Sequence, residues 1–95
     1  MVTTETLAAL YDTIEKDNRL GPVHVSLYIA LLFANSRAGI NPFVVERKLL
    51  MKAAKINARS TFEICINQLE NYHYLEYEPS KGLGMKSMVH LRKLF

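Results

Sequence analysis

From Tyr74 onward the apolar residues stop recurring every three or four positions and begin to alternate with polar ones. That change of period, in a chain of 95 residues, limits the fold more than any other feature. Everything before it has to be built from helices and their turns, and everything after it from short extended segments. At this length folding hides only about 60–65% of the surface that the unfolded chain exposes, so there is material for one core and none for a second. The expected class is mainly α with a small β-hairpin at the end.

Thr4–Lys16 carries Leu7, Leu10, Tyr11 and Ile14 at i, i+3, i+4 and i+7, one apolar stripe on a helix. Thr3 or Thr4 can cap its start, and Glu5 sits favourably in the first turn. Asp17–Gly21 reads as a break before Pro22. Val23–Arg37 is the most hydrophobic stretch, and Val23, Val25, Leu27, Tyr28, Ile29, Leu31, Leu32 and Phe33 leave almost no polar face. A helix apolar nearly all round is either central to the core or shared with a second subunit. Its end is expected at Gly39, in the left-handed position that glycine favours, with Ile40 making the hydrophobic contact after it and Pro42 blocking continuation. The longest apolar run, Leu27–Ala34, has eight residues, against the ~20 that a membrane span needs.

A short helix is expected over Val45–Ala54, with Leu49, Leu50, Ala53 and Ala54 inward and Arg47, Lys48, Met51, Lys52 and Lys55 outward. Lys55–Ile56–Asn57 is a tight connection, with Ile56 plugged into the core and Asn57 as N-cap. The next helix runs from about Ala58 to Tyr72. It buries Phe62, Cys65, Ile66 and Leu69 and presents Ser60, Glu63, Ile64, Asn67 and Asn71, with Arg59, Thr61 and Gln68 at the margins. In the alternating region Leu75 and Tyr77 oppose Tyr74, Glu76 and Glu78, and Val89 and Leu91 oppose Met88, His90 and Arg92. The Gly-containing loop between these runs makes them a hairpin, with His90 facing Glu76.

Charge is needed to decide what such a chain can touch. The net value of +3 names no partner, but its distribution is uneven. Residues 1–36 are net −2, residues 37–59 net +5, residues 60–79 net −4 and residues 80–95 net +4. A basic helix, a short turn, a helix with a polar outer face and a hairpin with a basic tip occur in that order. This is the constellation of a helix-turn-helix followed by a wing, in which the two basic blocks converge on one DNA surface. Arg59, Ser60, Thr61, Glu63, Ile64 and Asn67 are then the candidate base readers: Arg forks onto guanine, Asn pairs with adenine, and Ile64 meets a thymine methyl. Glu63 opposes this unless it accepts from a cytosine amino group. Asn57 lies at the entry to the same helix. Arg47, Lys48, Lys52 and Lys55, with Lys81 and Lys86 in the wing, are the candidate phosphate contacts. Each has a plainer alternative, an ordinary solvated helix face.

Lys55–Leu69 (KINARSTFEICINQL), Tyr74–Ser80 (YLEYEPS) and Ser87–Leu91 (SMVHL) resemble small bacterial winged-helix proteins, described as transcriptional regulators and often carried on mobile elements. The resemblance spans about residues 22–92 and is specific over 55–91. It rests on Lys55–Ile56 before the recognition helix, Thr61–Phe62 opening it, and Tyr77–Ser80 leading into the wing. The wing departs from the family pattern, with Leu83 and Lys86 where a Pro and a Gly are usual. The resemblance implies a winged helix-turn-helix domain over 21–95, with a recognition helix at about 58–72 and a wing at about 79–87. Its implied function is sequence-specific binding of double-stranded DNA. The alternative is a winged-helix protein-interaction module in a replication or transfer assembly. The N-terminal helix, residues 1–20, lies outside the resemblance. Its Leu7, Leu10, Tyr11 and Ile14 either complete the core or pair a second copy, and a homodimer through residues 1–36 is expected because dimers double a short recognition site.

Other chemistries find little support. The lone Cys65 excludes a disulfide framework, suits a reducing cytoplasm, and sits on the buried face of its helix. His24, His73 and His90 are spaced by 49 and 17 residues with no accompanying ligand set, so no metal is expected. No phosphate-binding glycine loop, nucleophile–base arrangement or paired catalytic carboxylates occur, so no enzyme activity, cofactor or small-molecule ligand is expected. Acids rather than bases lead the chain, so it does not read as a secretion signal. Tyr72, Tyr74 and Tyr77 cluster as core aromatics rather than as a stacking platform for single strands.

Overall fold

A computed structural model of the chain describes residues 4–79 and 86–92. Four helices, α1 (Thr4–Lys16), α2 (Pro22–Ala38), α3 (Arg47–Ala54) and α4 (Arg59–Asn71), surround a small antiparallel sheet. Its strands are β1 (Phe43–Val45), β2 (Leu75–Glu78) and β3 (Ser87–Leu91). The sheet has three strands rather than the two of a simple hairpin, in the order β1-β3-β2. Phe43 pairs with Val89 and Val45 with Ser87, while Leu75 pairs with Leu91 and Tyr77 with Val89. Glu76 lies opposite His90, as the alternation required.

The core is one cluster. Leu27, Tyr28 and Leu31 of α2 meet Phe62, Ile66 and Leu69 of α4, and Phe43, Leu75 and Val89 close the sheet side. α4 buries Phe62, Cys65, Ile66 and Leu69, the face that its periodicity selected. Ser26 of α2 donates to the Ala54 carbonyl at 2.6 Å, satisfying a backbone acceptor at the end of α3. His24 contacts Gln68 of α4 at 2.6 Å through Nε2, while its Nδ1 accepts the Gly21 N–H at 2.9 Å and closes the first turn of α2.

Both α3 and α4 end in the same device. Lys55 (φ 62°) and His73 (φ 69°) take the left-handed position in which glycine is usual. The next N–H reaches back five residues, Ile56 to the Met51 carbonyl at 2.9 Å and Tyr74 to the Leu69 carbonyl at 3.0 Å. Ile56 and Tyr74 are thereby driven into the core, which offsets the ~1–2 kcal/mol that a side chain costs in this region. Gly39 ends α2 in the expected left-handed turn (φ 71°), its N–H on the Asn35 carbonyl.

Several expectations need correcting. Phe43–Val45 is a strand, so the short helix begins at Arg47 and not at Val45. Its inner stripe is Leu50, Met51 and Ala54, while Leu49 and Ala53 face outward. The strand before the helix and the Ile56 plug after it set this rotation. Asn57 is not the cap of α4; Ala58 holds that position without a side-chain hydrogen bond. The Ile40 side chain is exposed, and the residue closes the end of α2 through its carbonyl instead, which accepts from the Asn35 side-chain amide at 3.0 Å. The chain then turns at once into Asn41, whose side-chain amide donates to the Leu91 carbonyl (2.9 Å) and accepts the Leu91 N–H (3.0 Å). Asn41 thus adds one more rung to the β1–β3 ladder. Tyr74 is buried rather than on the outer face, because it precedes β2 and belongs to the turn.

Candidate functional site

The outer face of α4 carries Ser60, Glu63, Ile64 and Asn67, all exposed. Three segments meet beside it: the start of α3, the middle of α4 and the base of the β2–β3 hairpin. They enclose an open groove of about 760 Å³. Arg47 and Lys48 enter from α3, Arg59, Glu63 and Asn67 from α4, and Pro79 and Lys86 from the hairpin. Lys52, Lys55, Asn57, Ser60 and Thr61 lie outside the groove lining. Lys81 and the rest of the hairpin tip lie outside the described residues.

The charge balance in this groove differs from the one that counting along the chain suggested. Arg47, Lys48, Arg59 and Lys86 do converge, but so do Glu46, Glu63 and Glu70. Half of the acidic block of residues 60–79, Glu63 and Glu70, is not held apart from the basic residues, because α4 itself carries it into the groove. Arg59 Nε donates to Glu63 Oε1 at 3.0 Å, and Lys86 lies 3.7 Å from Glu46. Both pairs are solvent-exposed, and such pairs contribute only about 0.2–1 kcal/mol, so either opens at little cost. Arg47 Nη1 reaches the Met51 sulfur at 3.4 Å. Glu70 turns its Oε2 to the Tyr77 N–H (3.0 Å) on the open edge of β2, and so has a structural task. Lys48, Lys52 and Lys55 are exposed and have no ion-pair partner among the described residues.

The starts of α3 and α4 are open. Neither Glu46 nor Ala58 makes a side-chain cap, and neither helix has an acid in its first turn. Backbone N–H groups with this setting favour an anion.

A second polar cluster lies away from the groove and was not evident from spacing. Asp17 takes two hydrogen bonds from the Arg19 guanidinium (2.9 and 2.8 Å) and one from the Tyr74 hydroxyl (2.6 Å). Arg19 in turn stacks 4.3 Å over the Tyr72 ring, and Tyr74 meets Tyr28 edge-to-face at 5.5 Å. The Arg19 guanidinium, aided by the Tyr74 hydroxyl, holds the Asp17 carboxyl far below the usual range although burial opposes it. Burial pushes the Tyr28 hydroxyl up to about 12 and raises the Cys65 thiol, leaving both inert near neutral pH. Asp17 and Arg19 ground the chain after α1 on the end of α4, and the cluster is structural.

Of the four N-terminal residues expected to pair subunits, Leu10 is buried within its own chain and Ile14 packs partly against the core. Leu7 and Tyr11 remain at the surface. Among the described residues no three His, Cys, Asp or Glu side chains gather into a metal-ligand cluster, and no helix is long and apolar enough to cross a membrane. No family model, curated protein or solved structure matches this chain.

Proposed function

We propose that this chain is a winged helix-turn-helix protein that binds double-stranded DNA, with α4 as recognition helix and the β2–β3 hairpin as wing, in the manner of a small cytoplasmic transcriptional regulator. One observation carries the reading: the Arg59–Glu63–Asn67 side of α4 lines the same groove as the basic start of α3 and the base of the hairpin. The order α2-β1-α3-α4-β2-β3 with sheet order β1-β3-β2 supports it. So do the unpaired Lys48, Lys52 and Lys55 on the exposed side of α3 and its C-terminal turn, and the uncapped N-terminus of α4.

The proposed division of labour follows from charge and reach. Arg47, Lys48, Lys52, Lys55 and Lys86 position the protein on phosphates and carry no sequence information. Arg59, Glu63 and Asn67 recur every fourth residue on α4, forming one ridge that enters the major groove. Opening the Arg59–Glu63 pair frees the guanidinium for guanine and leaves a carboxylate for which a cytosine amino group is the usual partner. Glu63 then acts by repulsion as much as by attraction, since a wrong base leaves it unpaired among phosphates. No cofactor enters this account, and no catalytic step is needed.

Selection from random duplexes tests it. The account expects one enriched site containing a G·C pair, and Glu63→Gln is expected to bind unselected DNA more tightly while discriminating less at that pair. The other reading, a protein-interaction module, draws on the three carboxylates in the groove and on Ile64, which is 58% exposed on α4. It is favoured if no duplex is enriched.

A further inference from the structure

The most hydrophobic helix has two apolar sides. Leu27, Tyr28, Ala30 and Leu31 of α2 face the core, but Phe33 is 65% exposed. Beside Phe33, Val44 of β1 and Leu49 of α3 are 53% and 62% exposed. These three residues, with Ile29 and Ala53, line a second open groove on the α2–β1–α3 side. Its apolar wall explains why α2 shows no polar face. The exposed apolar side chains are gathered along one groove rather than scattered singly, which suits a docking surface.

The same chain carries an unpartnered helix face. On α1, Leu7 (48% exposed), Tyr11 (61% exposed) and Glu15 follow at i, i+4 and i+8 and form one ridge. On α2, Ile29, Phe33 and Arg37 follow at the same spacing and form another. Each ridge is two apolar residues followed by a charge, acidic on α1 and basic on α2. Neither Glu15 nor Arg37 has an ion-pair partner among the described residues. Laid side by side in parallel, the two ridges place Leu7 and Tyr11 against Ile29 and Phe33 and bring Glu15 to Arg37.

Within one chain α1 is already docked by Leu10 and Ile14, and the Asp17–Tyr74 bond fixes its exit. Its outer ridge is therefore free for another molecule. We infer that the α2–β1–α3 groove receives the Leu7–Tyr11–Glu15 ridge of a second copy of this chain, reciprocally, so that the protein is a closed two-fold dimer. Each contact is helix-in-groove, and it is made twice because the symmetry operation exchanges the two surfaces. The inference goes beyond DNA binding and does not depend on it, since the assembly is read without DNA.

Sedimentation equilibrium of the intact chain, with circular dichroism to confirm folding, tests it. The wild type is expected to run as two chains, without growing further as concentration rises. Tyr11→Asp and Phe33→Asp are each expected to weaken the dimer by about 100-fold, the effect of losing an interface anchor at both contacts. Mixing those two variants is expected to recover some dimer, because one of the two contacts is then intact. Glu15→Lys and Arg37→Glu are each expected to weaken association, and the double variant to regain it. A monomeric wild type overturns the inference. So does a dimer that survives Tyr11→Asp, because another surface then fills the groove, and so does a dimer indifferent to Phe33→Asp.

Discussion

Replacing Lys48, Lys52 and Lys55 together with Glu is expected to lower the affinity for duplex DNA at least ~100-fold, equivalent to about 2.7 kcal/mol. The fold is expected to be unchanged, because all three side chains are exposed and none has an ion-pair partner among the described residues. Lys48 and Lys52 lie one turn apart on α3, and Lys55 occupies the left-handed turn that ends it. The cations deeper in the groove are partly answered by Glu46, Glu63 and Glu70. The loss should be nearly the same for every sequence, since phosphate contacts position the protein without reading bases. Electrophoretic or fluorescence titration of the wild type and the variant on one duplex, at one salt concentration, measures it.

The second large effect is on stability. Asp17→Ala removes the acceptor for the buried Tyr74 hydroxyl and the partner of Arg19. Leaving a buried donor unsatisfied costs roughly 1–3 kcal/mol. In a domain of this size about 2 kcal/mol lowers the melting temperature by roughly 8–16 °C. The same carboxyl makes a pH prediction. Its folded value lies below its unfolded value of about 4, so between those limits the unfolded chain binds more protons than the folded one. Stability is therefore complete above about pH 4 and falls as the pH drops through the folded value. Asp17→Asn keeps an acceptor for Tyr74 but cannot titrate. Its melting temperature is expected to be lower at pH 7 and to change less than that of the wild type from pH 5 to pH 2. Thermal melts followed by circular dichroism distinguish the two slopes.

The elements that read clearly from the sequence were those set by period alone. α4 buried Phe62, Cys65, Ile66 and Leu69 because four apolar residues at helical spacing leave only one way to turn that helix. β2 and β3 set Glu76 and His90 on the same face because a period of two fixes the face of each strand. What was missed depends on residues distant in sequence. Phe43–Val45 is too short to show a period, and becomes a strand only because β3 offers its free edge. α3 carries apolar residues around much of its circumference, so its rotation is set by β1 and by Ile56. The Asp17–Tyr74 bond spans 57 positions and leaves no local trace.

The candidate site divides in the same way. The exposed face of α4 was legible, being the complement of its buried one. The groove's charge balance was not, because block sums treat Glu63 and Glu70 as a separate acidic region when α4 places them among the cations. A signal for the end of both helices was present but easily overlooked. Ile56 and Tyr74 each stand five residues after a buried helical residue, Met51 and Leu69, with one polar residue, Lys55 or His73, immediately before the plug.

The most direct test of the account is the salt dependence of duplex binding by the intact wild-type chain. Apart from Arg59, which is assigned to a base, five cations, Arg47, Lys48, Lys52, Lys55 and Lys86, lie in or beside the proposed interface. Each phosphate neutralised contributes about 0.9 to the fall of log K against log salt, so full engagement predicts a slope of roughly −4 to −5. A slope in that range, reduced by about 3 in the Lys48, Lys52 and Lys55 triple variant, is the result the account predicts. No duplex binding at low salt, or binding that salt leaves unchanged, contradicts it.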